Sequence, residues 1–440
     1  MANIVIVYEH KAREMETVLL LSHELRKKGH YTELYPVCEL NRIKYLFNKP
    51  DLVIVPFLYG NNELVNYVYS VFGCVRKILN LQWEQVYGGL AGDSKKGTPR
   101  ECAQKAVHIC WGYNSYKRLI DNGCKHAVLT GAPQLDFLKP QFKGWYGNRD
   151  ELFKDFKIDS RKKTILFISS FSYLGLSKKR LSELRGRVNL DPFYFYDLTV
   201  KTRNVVLDWF EKLLASCGNI NIIYRPHPGE FIDKRLTELN NKYSNLHVIS
   251  DHSVKEWIIA SDIILNWYST AGVEVFFAGK SNLFLRPIEI PKDIDYEMFD
   301  NACMAKTYEE FYNYIINSGS IESYYLKNDL KNKIAPYYYV RDTLAYKNIL
   351  NVIEKMLKSK KYDLISNNYS TVKKVKIHAV GLLYLLLYNA WKQNNKLVKY
   401  LVKRNKHLSD LIRIQETTEL DRITKEDVRR FEDKLSKLSL

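Results

Sequence analysis

Hydrophobic residues along the chain gather in short runs, separated by stretches where they recur every three or four positions. Asn3–Tyr8, Tyr31–Pro36, 52–57, 75–81, 107–111 and 127–130 each read as a strand, the first of them buried. Between the first two, residues 14–28 place Met15, Val18, Leu19, Leu21 and Leu25 at helical spacing and stop at Gly29, which suits a left-handed helix cap. Strand–helix alternation of this kind predicts a parallel sheet covered by helices on both faces.

Residues 134–162 are charged and aromatic and read as a bridge with a short helix near 149–156. A second alternating series follows. Strands are expected at 164–169, 220–224, 246–249, Ile263–Asn266 and 282–284, and helices at 204–216, Val254–Ala260 and 270–278. A tyrosine-rich helical stretch at 336–358 is expected to close this second lobe. The pattern implies an α/β protein with two Rossmann-like doubly wound domains facing a cleft, residues 1–145 and 146–358, followed by a helical extension at 359–440. Ligands of open parallel sheets bind beyond the carboxyl ends of the strands.

The extension differs in composition. Residues 377–391 are strongly apolar, lysines flank them on both sides, and no acid appears between Thr371 and Ser409. The apolar run 377–391 is too short to span a bilayer, but the region bounded by Ile377 and Lys406 could meet one. It could lie in the plane of an anionic membrane, or it could be a core helix followed by a solvated one, or a contact in a homo-oligomer. The last residues, 416–440, read as a charged helix.

Length fits two domains and an extension. The formal charge of +18 favours an acidic partner: nucleic acid, anionic lipid or a phosphorylated substrate. No zinc-knuckle spacing or RNA-recognition signature is present, so nucleic acid is not the expected partner. Seven cysteines, odd in number and without a C-x-x-C pair, suit a reduced cytoplasm. Residues 1–7 lack the features of a secretory leader. The expected location is cytoplasmic, peripheral on the inner face of the cell membrane.

Four clusters stand where strands end. Glu9, His10, Lys11, Arg13 and Glu14 follow the first strand, where acids also suit a helix start. Trp83-Glu84-Gln85 follows the fourth, before Gly88, Gly89, Gly92 and Asp93; a strand-end acid such as Glu84 could serve as a general base, or be a solvated loop residue. Tyr224-Arg225-Pro226-His227-Pro228-Gly229-Glu230 displays a histidine between two prolines that fix the backbone, with a guanidinium beside it, a combination suited to anion binding. Ser269 and Thr270 begin a helix whose free N–H groups can hold phosphate oxygens, and Glu274 lies one turn in. No G-x-x-x-x-G-K-S/T loop is present and no G-x-G-x-x-G follows the first strand, so kinase and dehydrogenase readings lose support.

These residues resemble the bacterial surface-carbohydrate biosynthesis proteins, a group similar to the GT-B glycosyltransferases. The resemblance rests on Glu9 with Lys11-Ala12-Arg13-Glu14 and Gly29-His30, on the turn from Gly131 to Asp136, on Arg225-Pro226-His227-Pro228, on Glu256-Trp257-Ile258 with Asp262, and on Ser269-Thr270 with Glu274. It covers about residues 1–290. The His-Pro and Ser/Thr turns are also similar to those of Kdo- and sialyl-type transferases and polyol-phosphate polymerases. The resemblance implies a GT-B fold and transfer of a sugar from a nucleotide sugar to a glycan or lipid-linked glycan. The donor would be CMP-linked, such as Kdo or a nonulosonic acid, or UDP-linked. No cofactor and no metal are expected, and inversion would follow if only one carboxylate acts. Arg225, His227, Ser269, Thr270 and Glu274 would hold the donor nucleotide. Glu84 or Glu9 would act as base, His227 would meet the leaving group, and Lys11, Arg13 and Glu14 would lie on the acceptor side. A non-hydrolysing sugar-nucleotide epimerase, a polyol-phosphate transferase and a non-catalytic membrane-bound assembly partner are the alternatives.

Overall fold

The computed structural model describes residues 1–40, 42–87, 97–186, 188, 190–300, 302–317, 328–339, 343–364 and 370–438. Gly88, Gly89, Gly92 and Asp93 lie outside the described residues. The chain forms two compact units. The first takes Met1–Gln85, Gly97–Gln134 and Tyr337–Lys437, and the second is built on Leu135–Pro336.

In the first unit, β1 (Asn3–Tyr8), β2 (Tyr31–Pro36), β3 (Leu52–Val55), β4 (Ile78–Asn80), β5 (Val107–Cys110) and β6 (His126–Leu129) form one sheet in the order β2-β1-β3-β4-β5-β6. Every neighbouring pair is parallel. Helix α1 (Lys11–Lys27) buries Val18, Leu19, Leu20, Leu21 and Leu25. Each such leucine stabilises the unit by roughly 1.5–3 kcal/mol. The chain leaves α1 through Gly29 at φ +82°, as the spacing predicts.

In the second unit, β7 (Lys163–Ile168), β8 (Ile220–Arg225), β9 (Leu246–Val248), β10 (Ile263–Asn266), β11 (Ser281–Leu285) and β12 (Met304–Ala305) run in the order β12-β11-β10-β7-β8-β9, again all parallel. The connection therefore reverses direction between β7 and β10, and the crevice beyond their carboxyl ends is where such sheets bind ligands. Strand β12 spans two residues and is too short to give a sequence period. Helix α3 (Pro192–Ser216) begins earlier than the expected 204, because Asp191 accepts the N–H of Phe193 and Pro192 fits the first turn. Helices α4 (Lys234–Lys242) and α5 (Ala271–Phe277) follow β8 and β10.

The return of the chain corrects one expectation. Of the stretch 336–358, only Pro336 belongs to the second unit, and the rest, from Tyr337, is part of the first. Helix α6 (Ala345–Lys358) buries Tyr346, Ile349, Leu350 and Ile353 within the first. Tyr339 N donates to Trp111 O at 2.7 Å, Asn348 Nδ2 to Thr130 O at 3.0 Å, and His30 Nε2 lies 3.1 Å from Glu354 Oε1. An amphipathic helix carries no sequence mark of which sheet it covers. The extension belongs to the first unit as well, as α7 (Thr371–Lys392), α8 (Lys396–Arg404), α9 (Lys406–Leu420) and α10 (Lys425–Ser436), so the expected single terminal helix is two. Helix α7 packs beside α2 (Lys44–Phe47). Among the described residues no helix is long and apolar enough to cross a membrane.

Candidate active site

Three loops of the second unit leave the carboxyl ends of β7, β8 and β10. They are bonded to one another. Ser169 N donates to Arg225 O at 3.0 Å, and Tyr268 N donates to Ser170 Oγ at 3.0 Å across the point where the strand order reverses. A Cβ on Gly175 would collide with the carbonyl oxygen of Gly229, so the β7 loop lies directly on the β8 loop and only glycine fits there.

Glu230 holds the β8 loop. Its side chain is fully buried. Its carboxylate accepts from the hydroxyls of Ser169 and Tyr224, from Arg203 Nε at 3.3 Å and from the main-chain N–H of His227 at 3.3 Å. Arg203, on α3, also grips Asp233 with two bonds of 2.7 and 3.0 Å, and Asp233 caps α4 through Leu236 N. Burial, with the neighbouring carboxylate, pushes the Tyr224 hydroxyl well above its ordinary pKa, so it stays a donor. A buried carboxylate is stable only when its acceptor sites are met in this way.

The product of this scaffold is the pose of His227. Gly229 N donates to its Nδ1 at 3.0 Å. That nitrogen must carry the lone pair, so the neutral ring is protonated at Nε2, whose N–H is the group left to donate. Desolvation lowers the imidazole below its usual range, opposed by the charge of Glu230. At neutral pH the ring is a neutral donor.

Arg225 stands one residue before the Pro-His-Pro turn, but its guanidinium is turned to the next loop. Nη1 donates to Asp251 O at 2.7 Å and Nη2 to His252 O. Those two bonds fix the loop after β9. In the third loop, Ser269 Oγ accepts from Ala271 N at 3.1 Å, whereas Thr270 takes helical angles and makes no side-chain cap bond. Ser269 alone therefore caps α5, and its hydroxyl hydrogen is available to a ligand. Gly272 lets α5 sit tightly on the sheet: a Cβ there would come within 2.9 Å of Phe284 and Phe299. Glu274 lies in the first turn of α5 and is half-buried.

The chain carries one Asp-x-Asp triplet, Asp293-Ile294-Asp295. Both oxygens of Asp295 are bound by Arg286 Nη2, at 2.9 and 3.0 Å, and Ile294 is buried. The triplet lies in a turn.

The first unit brings the N-terminal cluster together around Arg13. Its Nη2 reaches Glu9 Oε2 at 3.1 Å and Glu14 Oε1 at 3.0 Å, and its Nη1 reaches Glu84 Oε1 at 3.3 Å. Glu14 is fully buried and accepts the main-chain N–H groups of Glu9 and His10, so it shapes the turn; burial raises its pKa against those bonds. Lys11 is paired with Asp427 on α10 at 2.6 Å. Gln85 is buried, its Oε1 accepting from Trp111 N and its Nε2 donating to Ile109 O, both at 2.8 Å. Glu9 and Glu84 are the more exposed acids of the group. A cavity of about 380 Å³ lies between Glu9, His10, Cys38 and residues of α9. A larger one, about 830 Å³, lies at the opposite end of this sheet, beside Met1, His30 and Arg76.

Sequence reasoning passes over Ser169, Ser170, Gly175 and Arg203. Glu230 is visible at the end of its motif, but its role needs the partners that α3 and β7 supply.

No family model matches the chain, and no curated protein matches it. Solved structures do. A variant of the wall teichoic acid polymerase TagF soaked with CDPG superposes with a TM-score of 0.52 at 12% identity, over 81% of this chain and 89% of that one. A Listeria monocytogenes protein described as a UDP-N-acetylglucosamine 2-epimerase gives 0.51 at 12% identity, over 81% of this chain and 97% of that one. At such identities the likeness is one of fold, and with its two parallel six-stranded sheets and flanking helices this chain has the two-domain α/β fold of the GT-B type.

Proposed function

We propose that this chain is a GT-B glycosyltransferase that moves a sugar from a nucleotide-linked donor, CMP- or UDP-linked, to a growing surface polysaccharide, with inversion and without a metal. The observation that carries the reading is the fixed display of His227 Nε2–H beside the strand-order reversal of the second unit. A preorganised donor at that place suits the charge that develops on a departing phosphate. The Ser269 hydroxyl, Thr270 and the first N–H groups of α5 would share that charge, and Glu274 would take ribose hydroxyls. Arg225 would support the pocket by anchoring the 251–252 loop.

In this reading an acceptor hydroxyl attacks the anomeric carbon as its bond to the phosphate oxygen breaks. The nucleotide leaves with the electron pair, and the hydroxyl proton passes to a carboxylate. Glu84 and Glu9 are the proposed bases. Lys11 and Glu14 would act by shaping the turn, and Arg13 by keeping both acids in place. The acceptor would be a glycan or a lipid-linked glycan. GT-B relatives by fold include a polymerase and an epimerase, so transfer of a polyol phosphate and epimerisation of the free donor are the competing activities.

The test is a thermal-shift panel of CMP, CDP, UDP, GDP and ADP, repeated with His227→Ala. A nucleotide at 100 times its Kd stabilises by about 2.7 kcal/mol. Stabilisation by one nucleotide class, lost in the variant, supports the reading. An epimerised donor formed without acceptor would replace it, and no shift with any nucleotide would favour a non-catalytic assembly role.

A further inference from the structure

Helix α7 has a docked face and, opposite it, an apolar one. One face is docked: His378, Gly381 and Tyr388 are buried against the first unit. Lys374 is turned inward with it, its Nζ donating to Tyr45 O at 2.6 Å and Leu46 O at 3.3 Å. Gly381 allows the close approach, since a Cβ there would lie 3.2 Å from the carbonyl oxygen of Leu40.

The other face is open. Val372, Val375, Leu382, Leu383 and Leu386 fall on one face through intervals of three, four and seven residues and are all exposed, Leu383 by 55% and Leu386 by 57%. That spacing makes them one stripe along the helix. Helix α8, packed beside α7, repeats the arrangement. Val398 faces in, while Leu397, Tyr400 and Leu401 face out, with Arg404 over the Tyr400 ring at 4.5 Å. Phe47 on the adjoining α2 is 84% exposed. Single exposed leucines are ordinary, but aligned stripes mark a surface that something covers.

The charge around the stripes decides what that is. Between Thr371 and Ser409 the chain carries nine basic residues and no acid, and Lys373, Lys376, Lys399 and Lys403 are exposed beside the leucines. A second copy of this chain meeting the stripe would bring the same nine positive charges to the contact. Nucleic acid would answer the charge and leave the leucines in water. An anionic bilayer answers both, and a helix lying in its plane needs no membrane-spanning length. We infer that α7 and α8 are the docking face of this protein for an anionic lipid bilayer, with the Leu383/Leu386 and Leu397/Leu401 stripes in the acyl boundary and the lysines among the headgroups. This does not depend on the catalytic reading.

Full-length protein is sedimented with vesicles of phosphatidylcholine alone and of phosphatidylcholine mixed with phosphatidylglycerol. Binding to the mixed vesicles is expected, falling steeply with salt and weak on phosphatidylcholine alone. Leu383→Glu/Leu386→Glu is expected to weaken it by about tenfold or more, and Lys396→Glu/Lys399→Glu/Lys403→Glu to weaken it on the anionic vesicles. These side chains are exposed, so unchanged melting temperatures verify that the variants fold. Failure of the folded wild type to bind mixed vesicles overturns the inference. So does binding that ignores salt and both variants. A concentration-dependent dimer that Leu383→Glu/Leu386→Glu dissolves would assign the stripe to a second copy instead.

Discussion

The amide of Gly229 donates to Nδ1 of His227 at 3.0 Å, so the backbone of the Pro-His-Pro-Gly turn chooses the tautomer of its own histidine. The outward Nε2–H is then present over the neutral range without any change of charge. His227→Gln keeps an N–H near the Nε2 position, whereas His227→Asn keeps only groups near Nδ1. Nucleotide-induced thermal stabilisation is expected to persist in part in Gln and to vanish in Asn and Ala. Turnover in His227→Ala is expected to fall by roughly 10²-fold or more. Wild-type turnover in the alanine variant would remove His227 from the site.

Glu230 has no solvent to fall back on. Replacing it by alanine leaves the Ser169 hydroxyl without its acceptor, Tyr224 with only its 3.4 Å bond to Ser169 Oγ, and Arg203 without one of its two carboxylates. Breaking a buried charged network of this kind costs about 3–5 kcal/mol. Urea unfolding followed by fluorescence is expected to show a lower midpoint of that order, and Tyr224→Phe a loss of about 1 kcal/mol. A loss in Glu230→Ala below that of Tyr224→Phe would mean the carboxylate is not the hub.

Gly175→Ala places a methyl group against the Gly229 carbonyl. Overpacking costs about 1–3 kcal/mol, and here the displaced partner is the residue that orients His227. Weaker nucleotide binding is expected alongside the lower stability. An equally bulky change on the exposed face of α3 provides the control, and normal nucleotide affinity in Gly175→Ala would separate the β7 loop from the site.

His108 sets an acid limit on the first unit. It is fully buried, with Nε2 donating to Ala103 O at 2.9 Å and Nδ1 3.1 Å from Asn80 Nδ2. Burial pushes its pKa down from 6.5 to about 4. The unfolded chain therefore binds the extra proton between those values and the native state does not. Stability is fully present above pH 6.5 and declines as pH falls toward 4, by roughly 3 kcal/mol for this residue alone. Denaturant midpoints measured across that window are expected to slope less in His108→Gln than in wild type. Parallel slopes would show that other groups carry the acid sensitivity.

The strands were legible in the sequence because parallel strands buried on both faces are continuous apolar runs. Among the described residues, eleven of the twelve strands are expected, from Asn3–Tyr8 to Ser281–Leu285, although β2 and β6, at the sheet edges, are only partly buried. Gly29 and the Pro226/Pro228 pair were legible for a similar reason: φ restrictions belong to the residue itself. Three things needed the tertiary structure. Amphipathicity shows that α6 has a face to bury and not which sheet receives it. The motif at 224–230 shows where a histidine is held and not that Arg225 spends its guanidinium on the 251–252 carbonyls, because hydrogen-bond partners distant in sequence leave no local mark. The run of leucines in α7 shows an apolar helix; only packing reveals that Gly381 and Tyr388 face the protein while Leu383 and Leu386 face out. Backbone propensity and hydrophobic period are local quantities and the sequence determines them, whereas charge pairing and the choice between the two faces of a helix are decided by what the folded chain brings alongside.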